Sequence, residues 1–112
     1  MLFGEFTIPL KGLTALYCPS VNCYRRLNRC VAPGSGTWGY DDRTATMRVK
    51  ASSPSATYME NRLPSSVANP YLVMAGTIAA GIDGINRKLK CPPPRDQDAA
   101  KLPLNLEEAL QV

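Results

Sequence analysis

The sequence predicts an α/β (α+β) fold of one small domain, in which antiparallel strands precede a buried helix at about residues 70–88. Its 112 residues, 45% of them hydrophobic, have the size and composition of a single globular unit. Residues 37–49 and 57–63 are rich in β-branched and aromatic side chains, and a Ser- and Pro-rich turn separates them, which is typical of an antiparallel pair. Asn69 can cap a helix and Pro70 suits the first helical position, so the helix is expected to begin there.

Two rows of side chains run along this helix at helical spacing. Ile78, Ile82, Ile85 and Leu89 form an apolar row, and Gly76, Ala80 and Gly84 form a row of small residues. The small row would let another backbone approach closely, so the helix is expected to be buried. The remainder of the chain offers little for it to pack against.

The missing histidines and the cysteine spacing exclude several function classes. With zero histidines, the chain cannot form a Ser-His-Asp triad, a Cys-His pair or an HExxH metal site. The four cysteines are Cys18, Cys23, Cys30 and Cys91. Their spacing matches neither paired zinc knuckles nor a secreted disulfide framework. We expect four reduced thiols.

The charge distribution bears on partners and location. Thirteen Lys and Arg residues stand against nine Asp and Glu residues, and the basic excess lies between residues 11 and 62. The arginines are not interleaved with aromatic residues and no nucleic-acid motif is present, so no nucleic-acid partner is expected. Pro64 and Pro70 interrupt the longest uncharged stretch, which leaves no membrane span. The first residues do not form a signal peptide, and we expect a cytoplasmic protein.

The last part of the chain predicts little regular structure. Residues 91–95 open a proline-rich connector, and residues 102–110 form a short amphipathic piece. Because the sequence stops where that piece begins to look helical, we expect the chain to be a fragment.

The second predicted strand carries the first chemical signal. Tyr58, Glu60 and Arg62 share one of its faces, because side chains alternate along a strand. A carboxylate and a guanidinium therefore point the same way. A solvated cross-strand face would also satisfy this pattern.

Several motifs taken together resemble the glutamine synthetase superfamily, in the later half of its catalytic domain. They are PSVNCYRRL at residues 19–27, WGYDDRTATMRV at residues 38–49, ENR at residues 60–62, and ANPYL followed by AAGIDG between residues 68 and 84. The resemblance covers about residues 12–110. It implies a divergent segment over residues 1–11 and a partial catalytic domain over residues 12–112, which is one part of an α/β barrel.

The resemblance also implies a chemistry and a set of site residues. The family phosphorylates the side-chain carboxylate of glutamate with ATP and lets ammonia displace the phosphate, using Mg²⁺ or Mn²⁺ in a homo-oligomeric ring. By their places in the motifs, Arg26 and Arg62 correspond to glutamate-binding residues and Glu60 to a metal ligand. Arg43 and Arg48 correspond to ATP- and phosphate-binding residues, and Arg43 is also the candidate catalytic residue. Guanidinium groups suit a transferring phosphoryl group, which spreads negative charge over its oxygens.

Two departures from the family pattern leave two functions open. Val31 stands where the enzymes carry a flap glutamate, and Tyr58 where they usually carry an arginine. A valine can neither attract ammonium nor accept a proton. We therefore expect a chain that resembles the branch of the lens protein lengsin, non-catalytic and acting by assembly, with lens intermediate-filament proteins as partners. The alternative is a fragment of an active glutamate–ammonia or glutamate–amine ligase. In either case we expect this chain alone to bind no cofactor and to catalyse no ligation.

Overall fold

The computed structural model describes residues 7–27, 29 and 32–111. Its helices are α1 (Thr7–Tyr17), α2 (Val21–Arg26), α3 (Pro70–Asn86) and α4 (Leu106–Leu110). Its strands are β1 (Trp38–Tyr40), β2 (Met47–Ala51) and β3 (Thr57–Asn61), with one turn of 3₁₀ helix at Pro54–Ala56 before β3. The predicted mixture of helices and strands is confirmed.

The three strands form one sheet in the order β1-β2-β3. β2 and β3 are antiparallel with Arg48 opposite Glu60, so the predicted antiparallel pair is confirmed. The prediction of a single strand over residues 37–49 is wrong. This stretch contains β1 and the start of β2, which lie parallel with Trp38 opposite Met47. The chain turns between them: Asp41 has a φ of 51°, and the Asp42 carboxylate accepts a hydrogen bond from the Thr44 N–H at 2.8 Å. Aspartate tolerates this left-handed conformation and closes such turns with its side chain.

Helix α3 follows the predicted capping chemistry. The side chain of Asn69 accepts a hydrogen bond from the Tyr71 N–H at 3.0 Å, and Pro70 occupies the first turn, where no N–H is needed. The helix ends at Asn86, and the N–H of Arg87 returns to the carbonyl of Asp83. The predicted start is correct, and the end falls two residues earlier than expected.

The row of small residues on α3 faces α1. A Cβ atom added at Gly76 would lie 3.1 Å from the side chains of both Leu13 and Leu16, closer than ordinary packing allows, so the glycine lets the two helices approach closely. Ala80 packs against the hydrophobic core in the same row. The hydroxyl groups of Tyr17 and Thr77 are hydrogen-bonded across the same contact at 2.5 Å. The predicted close approach of another backbone is confirmed, and α1 supplies it.

Helix α1 carries much of the core, although its first residues fall in the segment expected to diverge. Leu10, Leu13, Thr14 and Tyr17 are buried at the spacing of one helix face. Leu63, which follows β3, and Leu102 and Ala109 near the C-terminus join the same cluster. The amphipathic piece at residues 102–110 therefore packs on the core, and only its last part, α4, is helical.

The helix predicted at residues 70–88 forms, but the prediction that it is buried in this chain is wrong. Ile78, Ile82 and Ile85 are 62%, 53% and 67% exposed, and Gly84 is the buried residue of α3 among those described. One face of α3 is used by α1 and the opposite apolar face has no described neighbour to cover it. Within the described residues, no helix has the length and apolar character needed to cross a membrane.

The α1–α3 contact predicts a difference between two glycine substitutions. Gly76→Leu places a large side chain against Leu13 and Leu16, and we expect the free energy of unfolding to fall by about 1–3 kcal/mol. Gly12→Ala is the control: apart from its chain neighbours and the nearby backbone of α1, no described atom lies within 4 Å of a Cβ atom there, and the substitution should stabilise α1 by about 0.5–1 kcal/mol. Chemical unfolding followed by circular dichroism measures both. Equal effects of the two substitutions would contradict the packing described here.

Candidate functional site

Alternation along β2 and β3 gathers charged side chains on one side of the sheet. Arg48 and Lys50 on β2 stand opposite Glu60 and Tyr58 on β3. We call these four residues, together with Arg62 just after β3, the charged face. Met47, which alternates with Arg48, is buried at 8% exposure. The predicted common orientation of Tyr58, Glu60 and Arg62 agrees with this register.

Ion pairs join the cations of the charged face to two carboxylates. Glu60 Oε2 lies 3.2 Å from Arg48 Nη1 and 3.8 Å from Arg62 Nε. Asp41 Oδ1 accepts hydrogen bonds from Arg48 Nε and Lys50 Nζ, each at 2.9 Å, and a further one from Arg48 Nη2. Arg48 therefore bridges both carboxylates, and the described ion pairs of this cluster join three cations to two anions.

Asp41 is a residue of this site that the sequence did not predict. It begins the turn after β1, and its N–H donates to the Val49 carbonyl at 2.9 Å, which holds the turn over β2. Hydrogen bonds from Lys50 and Arg48 lower the pKa of Asp41 to about 2. The same contact with Asp41, helped by Glu60, raises the pKa of Arg48. An acidic residue that tolerates positive φ directly after a strand is the signal that could have found it.

The two candidate glutamate-binding arginines lie side by side. Arg26, at the end of α2, donates from Nη1 to the carbonyl oxygen of Arg62 at 3.2 Å and from Nη2 to the carbonyl oxygen of Leu63. These bonds tie α2 to the chain leaving β3. The structure thus brings four predicted site residues into one neighbourhood: Arg26, Arg48, Glu60 and Arg62.

Arg43 occupies a separate position. It is exposed in the turn between β1 and β2, and among the described residues no hydrogen bond or ion pair joins it to the charged face. Its neighbour Asp42 is 8% exposed and bonds to Thr44 and, at 3.1 Å, to Arg95. A Cβ atom at Gly39 would lie 2.9 Å from the Cβ atom of Asp42, so the turn sits tightly on β1.

The proline-rich connector is docked on this turn. Trp38 Nε1 donates to the Pro92 carbonyl at 2.8 Å, and the Arg95 N–H donates to the Trp38 carbonyl at 2.9 Å. With the Arg95–Asp42 pair, these bonds hold residues 92–95 against the strand and turn that precede Arg43. The sequence predicted a connector here but gave no sign of its docking.

Glu60 is the predicted metal ligand of this chain. Residues 7–27, 29 and 32–111 contain no group of three His, Cys, Asp or Glu side chains that could hold a metal ion. The Glu60 side chain is 43% exposed, and its carboxylate is a suitable oxygen donor for Mg²⁺. It can supply one ligand.

The remaining predicted features are the cysteines and the two departures from the family pattern, Tyr58 and Val31. Cys18 and Cys23 are buried free thiols and Cys91 is an exposed one; burial raises the pKa of Cys18 to about 11. Tyr58 is 57% exposed on the charged face. Val31, on which the flap argument rests, and Cys30 lie outside the described residues.

Comparisons with known proteins agree on one family. A family model described as the glutamine synthetase catalytic domain matches residues 7–111, so the match begins within the segment expected to diverge. Gamma-glutamylethanolamide synthetase of Streptomyces coelicolor is 38% identical over 94% of this chain and 24% of its own length. Glutamate–isopropylamine ligase of a Pseudomonas species is 38% identical over 89% of this chain and 22% of its own length.

A further relative and a solved structure are also similar. Human lengsin is 36% identical over 88% of this chain and 22% of its own length. The glutamine synthetase of Plasmodium falciparum, solved by electron cryomicroscopy, superposes with a TM-score of 0.69 at 31% identity, over 84% of this chain and 19% of that one. The chain spans less than a quarter of the length of these relatives. With a family match over nearly the whole chain and a shared fold, it belongs to the glutamine synthetase family as part of the catalytic domain.

Proposed function

We propose that this chain forms the arginine- and glutamate-bearing part of an ATP-dependent ligase site that joins glutamate to ammonia or an amine. The observation that carries the proposal is the meeting of Arg48, Glu60 and Arg62 on one face of the sheet, with Arg26 bonded nearby to the carbonyl oxygens that follow β3. Among the described ion pairs of this face, three cations meet two carboxylates, so the surface carries a net positive charge that suits an anionic ligand. Two of the similar proteins are named for joining glutamate or a glutamyl group to an amine, which agrees with this reaction class.

Each residue has a defined task in the proposed reaction. Arg48 binds phosphate oxygens through its planar guanidinium, and Arg43, exposed on the neighbouring turn, stabilises the transferring phosphoryl group. Arg26 and Arg62 bind the carboxylates of glutamate. Glu60 supplies one oxygen ligand to Mg²⁺ or Mn²⁺, which would neutralise phosphate charge when bound. Ligands and strands beyond these residues complete the site, so this chain alone is proposed not to ligate.

A second function, assembly without catalysis, is favoured by two other observations. Tyr58 on the charged face lacks the positive charge expected for phosphate binding. The apolar face of α3 is exposed and suits a protein that works through contacts. The similarity to lengsin agrees with either function. In both proposals the protein is cytoplasmic and joins a homo-oligomeric ring, and in the second its partners include lens intermediate-filament proteins.

Nucleotide binding separates the two proposals. The sequence predicts no cofactor binding by this chain alone, but the arginines of the charged face lead us to propose instead that it binds Mg-ATP weakly. Arg48→Ala should lower the affinity about tenfold, because hydrogen bonds from a charged donor to phosphate are lost. Nuclear magnetic resonance titration measures such weak binding residue by residue. Arg87→Ala on α3 is the matched control, since it also removes one ion-paired arginine but lies outside the charged face. A folded chain that binds no Mg-ATP, or an equal loss in both variants, would favour assembly.

The charged face also has an expected pH dependence. Folding lowers the pKa of Asp41 from its ordinary 3.8 to about 2, so its contribution to stability is present above about pH 4 and is lost as the pH falls towards 2. Lys50→Ala and Arg48→Ala should each move the pKa of Asp41 back towards 3.8, because the donors that lower it are removed. Carboxyl ¹³C chemical shifts follow this titration directly. A pKa of Asp41 that is the same in both variants as in the unmodified chain would show that these ion pairs do not form in solution.

A further inference from the structure

Every nitrogen of the Arg48 guanidinium is already engaged. Nε and Nη2 donate to Asp41, and Nη1 donates to Glu60. Lys50 Nζ is committed to the same Asp41 oxygen. Asp41 Oδ1 thus occupies the Nε–Nη2 edge of Arg48, and a phosphate that binds this edge through two hydrogen bonds must replace it.

Asp41 is placed so that it can be displaced while its cations stay where they are. Its side chain is 63% exposed, whereas those of Arg48 and Lys50 are 16% and 27% exposed. The Asp41 backbone is bonded to Val49, so the carboxylate returns to the same place after release. A carboxylate and a phosphate use the same hydrogen-bond donors on a guanidinium, so the two compete directly.

We propose that Asp41 is a specificity-determining residue that occupies the polyphosphate position on Arg48 and Lys50, and that Lys50 is a further phosphate-binding residue. A ligand with several adjacent phosphates replaces the carboxylate because it presents more negative charge to both cations at once. A weakly charged ligand does not compensate for the ion pairs it breaks. This inference rests on the proposed nucleotide site. It adds that Asp41 regulates phosphate binding at that site.

Asp41→Asn tests the proposal without changing the turn. Asparagine keeps the size of the side chain and tolerates the positive φ at this position, so the fold is retained. The probe is sodium tripolyphosphate without divalent cations, titrated at fixed ionic strength because salt screens exposed charges. We expect Asp41→Asn to bind it about three- to fivefold more tightly than the unmodified chain, the range that one exposed ion pair supports.

Asp83→Asn is the matched control. Asp83 pairs with Arg87 at 3.2 Å on α3, so this substitution also removes one exposed carboxylate from an arginine and raises the net charge by the same amount. Its affinity should stay within about a factor of two of the unmodified chain, since only long-range attraction changes. Lys50→Ala added to Asp41→Asn should remove most of the gain.

The outcomes distinguish this inference from the proposed function. Equal affinities of Asp41→Asn and Asp83→Asn, in a chain whose binding still depends on Arg48, would overturn the role of Asp41 and leave the nucleotide site intact. A gain that survives Lys50→Ala would overturn the role of Lys50. Failure of all folded variants to bind tripolyphosphate, Asp41→Asn included, would overturn the proposed function itself.

Discussion

The antiparallel register of β2 and β3 is the constraint on which the candidate site depends. It sets Arg48 opposite Glu60 and Lys50 opposite Tyr58. Side chains alternate with a period of two, so a shift of one residue would send Arg48 to the core side and Met47 to solvent. The buried Met47 opposes that shift because its burial is lost in the shifted register. The core side of the sheet thus determines which charges meet on the other side.

The sequence predicted those features whose cause is local. The Asn69 cap and the shared face of Glu60 and Arg62 follow from the spacing of side chains within one element. The small row on α3 was predicted for the same reason, but its partner was not. Gly76 meets Leu13 across more than sixty residues of sequence, and no local pattern names such a partner. Asp41 was missed similarly, because its role depends on β1 lying parallel to β2.

The two rows of α3 show how far the chain completes its own packing. The small row lies against α1, and the core continues from there to Leu63 and Leu102. The apolar row of Ile78, Ile82 and Ile85 remains exposed. A helix that is apolar on both sides is typical of the interior of a larger domain. A chain that spans less than a quarter of its relatives agrees with that interpretation.

The ion pairs of the charged face stabilise the fold and also compete with an anionic ligand for the same cations. Arg48 and Lys50 lie on the same face of β2, where their like charges repel each other. Asp41 and Glu60 offset this repulsion by dividing the cations between them. A site made only of arginines and lysine would attract phosphate more strongly but would hold its strands together less well. The two carboxylates therefore set both the stability of the charged face and the amount of negative charge that a ligand must bring to it.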